Sequence, residues 1–160
     1  MNERKVYKGF DYRICMDDID KSILNVLQEN SRLSFRKIAQ KIGVTAATVS
    51  ARVEDLERKG IIKKYTVLLD YDKLGKVTLL VTVDVDLSKI DAIFQNLVEL
   101  PQVCCVLRVT GACDLVVLLR CDGHRGARTV LDTIKSIEGV RNVASQMVLE
   151  TILESLCVKV

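Results

Sequence analysis

Between Ser34 and Gly60 the stretch SFRKIAQKIGVTAATVSARVEDLERKG holds two short amphipathic repeats, joined by so tight a turn that two helices built on them must cross steeply. Ser34 stands where an N-cap belongs, Ile38 and Ile42 fall on one face, and Gly43 can end a helix in a left-handed residue. Thr45 can cap the second helix, whose apolar positions Val49, Val53 and Leu56 are spaced 4 and 3 before Gly60 closes it. That is the geometry of a helix-turn-helix, in which the second helix enters a major groove while the first crosses the backbone. Helical spacing turns Ala47, Thr48 and Ala51 away from the apolar stripe, with Ser50 and Arg52 on its flanks. Hydroxyls bond base edges or phosphates, and small apolar side chains allow close approach and contact with thymine methyls. Ser34, Arg36 and Thr45 complete the candidate DNA face. Ile61 to Tyr65 is the expected wing, a short strand whose Lys63 and Lys64 suit phosphates. The same spacing also suits a small helical domain that touches no nucleic acid.

Around this motif the chain supplies a third helix and little else on the N-terminal side. Asp17, Asp18 and Asp20 place acids at the positive end of a helix dipole, with Ile19, Ile23, Val26 and Leu27 facing inward. Residues 1–15 show no periodicity and read as an N-terminal extension. The charge is uneven. Residues 1–16 hold four basic and two acidic side chains, 17–66 ten and seven, and 67–160 ten and twelve, so the basic surplus lies with the helices. No apolar run approaches a membrane span and the first residues lack the apolar core of a signal peptide, so a cytoplasmic protein with no membrane partner is expected. The six cysteines show no metal-ligand spacing; most read as small buried hydrophobes, with Cys113 in a loop of interest. His124, the sole histidine, reads as an exposed residue at the start of a helix. With one histidine, no tryptophan and no set of base, nucleophile and oxyanion donors, an enzyme is disfavoured, and no metal or cofactor is expected.

Beyond a linker strand at 67–76 the pattern changes period. Val77, Leu79, Val81, Val83 and Val85 alternate with Thr78, Thr82, Asp84 and Asp86, the signature of a strand with one buried face. Ser88 is the expected cap of a helix with Ile90, Ile93, Phe94 and Leu97 inside, Asp91 at its capping-box position and Pro101 past its end. Val103 to Val109 and Asp114 to Cys121 form a hairpin across Thr110-Gly111-Ala112-Cys113; Gly126 to Ile137 is a second helix and Val140 to Leu149 a fourth strand. The order βαββαβ over residues 77–160 is ferredoxin-like, and with the helices of residues 16–66 it makes an α+β, two-domain chain. Helices cover only one face of such a sheet, and Leu80 points to the other, so a second copy's sheet is its natural cover.

The residues from Met16 onward resemble the Lrp/AsnC (feast/famine) family of bacterial and archaeal transcription regulators. The resemblance is carried by D-x-I-D-x-x-I-L at Asp17 to Leu24, I-A-x-x-I-G-V-T at Ile38 to Thr45, T-V-x-x-R-V-x-x-L-E-x-x-G-I-I at Thr48 to Ile62, and Y-T-x-x-L-D at Tyr65 to Asp70. It implies a sequence-specific regulator of double-stranded DNA, a homodimer through the second domain, often assembled into an octamer, and a small effector, commonly an amino acid, held between dimers. It places the effector at the hairpin Gly111, Cys113 and Asp114, with Asp114 pairing an ammonium group, and at Ser145 and Gln146 of the fourth strand. A hairpin glycine and a turn-forming aspartate would account for Gly111 and Asp114 equally well. The chain departs from the family at the second helix of the motif: Ser50, Ala51, Glu54 and Asp55 stand where Arg or Lys is usual, so operator and affinity do not transfer. An effector sensor with weak or non-specific DNA binding, or a haem-pathway decarboxylase-like enzyme, are the competing classes.

Overall fold

The computed structural model describes residues 16–155 and 158–160; the expected N-terminal extension at 1–15 and two of the six cysteines, Cys15 and Cys157, lie outside them. The chain divides into two compact units, one containing the helices up to Leu68 together with Leu153–Val160, the other running from Leu69 to Ile152. The second unit thus ends short of the expected 77–160. The difference is the last stretch, where Asn25 Nδ2 donates to the carbonyl of Val160 at 3.2 Å and the Val160 N–H donates back to Asn25 Oδ1 at 3.1 Å.

In the first unit, α1 (Asp18–Glu29), α2 (Phe35–Ile42) and α3 (Ala46–Arg58) start and stop on local chemistry. Asp17 caps α1 in a reciprocal box: its carboxylate accepts from the Asp20 N–H at 2.9 Å, and Asp20 accepts from the Asp17 N–H at 3.3 Å. Ser34 caps α2 and Thr45 caps α3, each accepting from the N–H three residues on. Gly43 ends α2 at φ 76°, a conformation that a side chain would strain, and this lets the chain turn straight into α3. The core is Ile23, Leu24, Leu27, Ile38, Ala39, Val49, Val53 and Leu56. Residues 61–70 form neither helix nor strand, so the expected wing strand and linker strand are corrected: the first strand begins at Lys76. A strand needs a partner for its backbone groups, and this segment, with Tyr65, Val67, Leu68 and Leu69 exposed, has no ladder in the single chain.

The second unit is a four-stranded antiparallel sheet in the order β2-β3-β1-β4, formed by β1 (Lys76–Val85), β2 (Val103–Arg108), β3 (Leu115–Asp122) and β4 (Val140–Met147). Helices α4 (Ile90–Glu99) and α5 (Gly123–Ser136) follow β1 and β3, giving the ferredoxin-like order. Strand alternation sends Leu79, Val81, Val83, Leu115, Val117 and Leu119 into a core closed by Ile93, Leu97, Val130 and Ile134. The cap of α4 differs from expectation. Asp86, two residues before Ser88, instead caps a 3₁₀ turn (Leu87–Lys89), its Oδ1 accepting from the Ser88 N–H and hydroxyl. Ser88 therefore donates rather than caps, and α4 starts at Ile90 with no side-chain cap.

The opposite face carries rows read directly from the register: Leu80 pairs Leu118 and Gln146, Thr82 pairs Val116 and Ala144, and Leu118 and Val116 pair Cys105 and Leu107. Leu80 is 38% and Leu107 52% exposed there. At one end the face is closed by the linker turn: the Arg120 guanidinium lies 4.2 Å from the Tyr71 ring centroid and donates to Thr78 Oγ1 at 2.9 Å, which buries Thr78. Among the described cysteines only Cys121 is buried, with its thiol pushed up chiefly by that burial; Cys104 is exposed and Cys105 and Cys113 are half-buried. Mostly buried cysteines were expected; the β2–β3 edge and hairpin put three of the four described ones nearer the surface.

Candidate nucleic-acid interface and ligand-binding domain

The helix-turn-helix brings Ser34 and Arg36 of α2 into one compact unit with Thr45, Ala47, Thr48, Ser50, Ala51 and Arg52 of α3. Ala47 and Ala51 are exposed, opposite the buried Val49, Val53 and Leu56, while Thr48 and Ser50 are half-buried on the flanks. The hydroxyls are internally engaged: Thr45 Oγ1 and Thr48 Oγ1 share a hydrogen bond of 2.8 Å, and Ser50 Oγ donates to Glu54 Oε1 at 3.1 Å. Tyr65 Oη donates to Glu57 at 2.8 Å; burial first, and then this bond, push its phenol up to about 12. That contact fastens the chain just past Lys63 and Lys64 to α3, and both lysines are exposed.

Arg52 is placed differently from a free phosphate ligand. Its Nη1 donates to Asp17 Oδ2 at 2.7 Å and to Asp20 Oδ1 at 3.1 Å, so it joins α3 to the capping box of α1, and a phosphate would compete with two carboxylates. The sequence hides this because the partners lie more than thirty residues away, in a capping box whose local purpose is already complete. The Asp20 N–H, with help from Arg52, holds the Asp17 carboxyl below its ordinary range. A depressed carboxylate stabilises the fold fully above its unfolded value and loses that contribution as the pH falls through the folded one. Arg52→Ala is therefore expected to lower the thermal midpoint near neutrality and to flatten the fall in stability as the pH drops below the ordinary carboxylate range. Thermal melts of both proteins across that range check it; parallel pH profiles would show that the pair contributes nothing.

In the second unit, Gly111, Cys113 and Asp114 come together in the β2–β3 hairpin, and Gly111 takes φ 121°, where only glycine is unstrained. Asp114 stitches that hairpin to β1. Its Oδ2 accepts from the Val85 N–H at 2.8 Å, its own N–H donates to the Val83 carbonyl at 3.2 Å, and its carbonyl accepts from the Val109 N–H at 3.1 Å. A carboxylate with one such bond retains acceptor sites for a ligand cation. Ser145 and Gln146 do not come together: Ser145 pairs Val81 on the helix-covered side, and Gln146 pairs Leu80 on the open face. Ser145 lines a shallow cleft of about 440 Å³ between α5 and β4, with Leu79, His124, Arg128, Leu131 and Met147.

The chain thus joins a three-helix helix-turn-helix unit to a ferredoxin-like sheet unit. Residues 16–63 match the family model of winged helix-turn-helix DNA-binding domains, and residues 78–156 match that of the Lrp/AsnC ligand binding domain. An uncharacterised HTH-type transcriptional regulator from Pyrococcus furiosus is 34% identical over 140 residues, covering 87% of this chain and 95% of its own length. The HTH-type transcriptional regulator FL11 of Pyrococcus horikoshii is 33% identical over 140 residues, with 87% and 93% covered. The chain belongs to the Lrp/AsnC family of transcriptional regulators. Among solved structures, a transcriptional regulator from Neisseria meningitidis in complex with L-Met is 25% identical with a TM-score of 0.79, covering 89% of this chain and 95% of that one. AsnC of E. coli, 22% identical with a TM-score of 0.77 over 88% and 97% of the chains, has the same fold. Among the described residues no helix is long and apolar enough to cross a membrane.

Proposed function

We propose that this chain is a cytoplasmic, sequence-specific regulator of transcription that binds double-stranded DNA as a homodimer or a larger assembly such as an octamer, and that its second domain responds to an amino-acid-like effector. The observation that carries the reading is the exposed N-terminal half of α3, held by a cap and an apolar stripe that leave Ala47 and Ala51 on the outer side with Thr48 on its flank. Arg36, Lys63 and Lys64 supply phosphate contacts, and Ser34, Thr45, Ser50 and Arg52 border them. The second copy covers the Leu80, Leu107 and Leu118 face. Its linker pairs with the unladdered segment at 65–69, which explains why a stretch with strand-like composition has no strand in one chain. The L-Met complex of the Neisseria regulator supports an amino-acid effector. Gly111, Cys113 and Asp114 form its loop, and Gln146 adds a polar group from the open face of β4, with Ser145 on the opposite side.

A salt-titrated DNA-binding measurement on the full chain, with each amino acid added in turn, tests this reading. Specific binding whose affinity falls with salt, and shifts with at least one amino acid, is expected. Asp114→Asn should keep the DNA affinity and reduce the effector response by roughly ten- to a hundredfold in ligand concentration, the scale of one charge-assisted hydrogen bond. No sequence preference at any salt would overturn the regulator reading. A response unchanged in Asp114→Asn would leave Asp114 as the stitch between hairpin and β1.

A further inference from the structure

The outward stripe of α3 is Ala47, Ala51, Glu54 and Arg58, and no residue of its first two turns offers a free cation to a groove. Every cation of α3 and its cap is already held: Arg52 by Asp17 and Asp20, Arg58 and Lys59 by Asp55. The helix contains no Asn or Gln, so it lacks the side chains that grip adenine with two bonds, and it has no unpaired Arg or Lys for guanine O6 and N7. The Ser50 hydroxyl proton is spent on Glu54, whose carboxylate offers only acceptors and so opposes the acceptor edge of guanine. What remains on the outward stripe near the N-terminus is a pair of methyl groups, Ala47 and Ala51, one turn apart, flanked by Thr48, whose hydroxyl is shared with Thr45.

Uncompensated charge lies instead on the preceding helix. Arg36, Lys37 and Lys41 of α2 are exposed, and no ion pair among the described residues engages them. Affinity and selectivity are thus divided within the motif, with phosphate attraction on α2 and at Lys63 and Lys64, and groove reading on α3.

From this division we infer that α3 reads its operator by methyl contact: Ala47 and Ala51 pack on thymine C5-methyl groups in the major groove, and half-sites with guanine on the contacted strand at those positions are rejected. The inference rests on the DNA-binding reading above and adds the class of sequence. A methyl contact is weak and non-directional, so selectivity comes from several thymines per site rather than from one strong pair.

The test starts with half-sites selected by the full-length protein from a random duplex library. Thymines in the selected site are then replaced singly by deoxyuridine, which removes the methyl and nothing else. Affinity is expected to fall about fourfold per contacted thymine, the transfer cost of one methyl-sized group. Ala47→Gly and Ala51→Gly should each shrink the thymine-to-uracil affinity ratio at one position; because both duplexes are measured on the same protein, a loss of helix stability cancels from the ratio. Replacing guanines by 7-deazaguanine should leave affinity unchanged. Equal affinity for thymine and uracil duplexes, or a loss on 7-deaza substitution, overturns methyl reading while leaving the DNA-binding reading intact. Failure to select any sequence overturns both.

Discussion

Leu56→Ala is expected to unfold the helix-turn-helix while the sheet domain stays folded. Leu56 is 1% exposed and belongs to a core that has eight fully buried members among the described residues and closes three short helices. Truncating a buried leucine costs about 2–5 kcal/mol, a large share of what so small a domain holds. The second core, around Val81, Val117 and Ile134, shares no residue with it. Two unfolding steps are expected in calorimetry of the wild type and one in the variant, together with loss of DNA binding and retention of the amide signals of β1 and β3. A single transition lowered as a whole would show instead that the two units unfold cooperatively.

Leu80→Asp should turn the assembly into a monomer and weaken operator binding by at least about a hundredfold, because a dimer engages two half-sites with an effective concentration that a monomer lacks. Leu80 is 38% exposed in the single chain and faces away from the helices, so the substitution removes little of the chain's own packing. A buried carboxylate facing its symmetry mate, by contrast, would be costly at a sheet-to-sheet contact. Light scattering at micromolar concentration reads the mass directly. A variant that keeps the wild-type mass would move the contact away from this face and point to the exposed 65–69 segment.

Local signals carried most of what was legible in the sequence. Ser34, Thr45, Gly43 and Asp17 cap or terminate helices through partners within a few residues, and the alternation of β1 fixed which side faces the core. Three features were not legible, each for want of a distant partner. The Arg52 pairing needs α1, the stitch from Asp114 needs β1, and the burial of Thr78 needs both Tyr71 and Arg120. The missing wing strand is the opposite case: Ile61 to Leu69 has strand-like composition, but composition does not supply a neighbour to bond to. Ser145 and Gln146 are effector candidates by resemblance alone, and simple strand alternation already separates the one from the other.

The bonds within and around α3 also bear on how such a protein diverges. Val49, Val53 and Leu56 bind the helix to its core, Thr45 starts it, and Asp55 ties down its basic end, so Ala47 and Ala51 are left with no structural duty. Substitutions there meet solvent rather than packing, and surface changes of that kind shift stability by only about half a kcal/mol. On the proposed reading, gene duplication followed by drift at these two positions retunes which sequences are bound while the helix-turn-helix of every copy still folds.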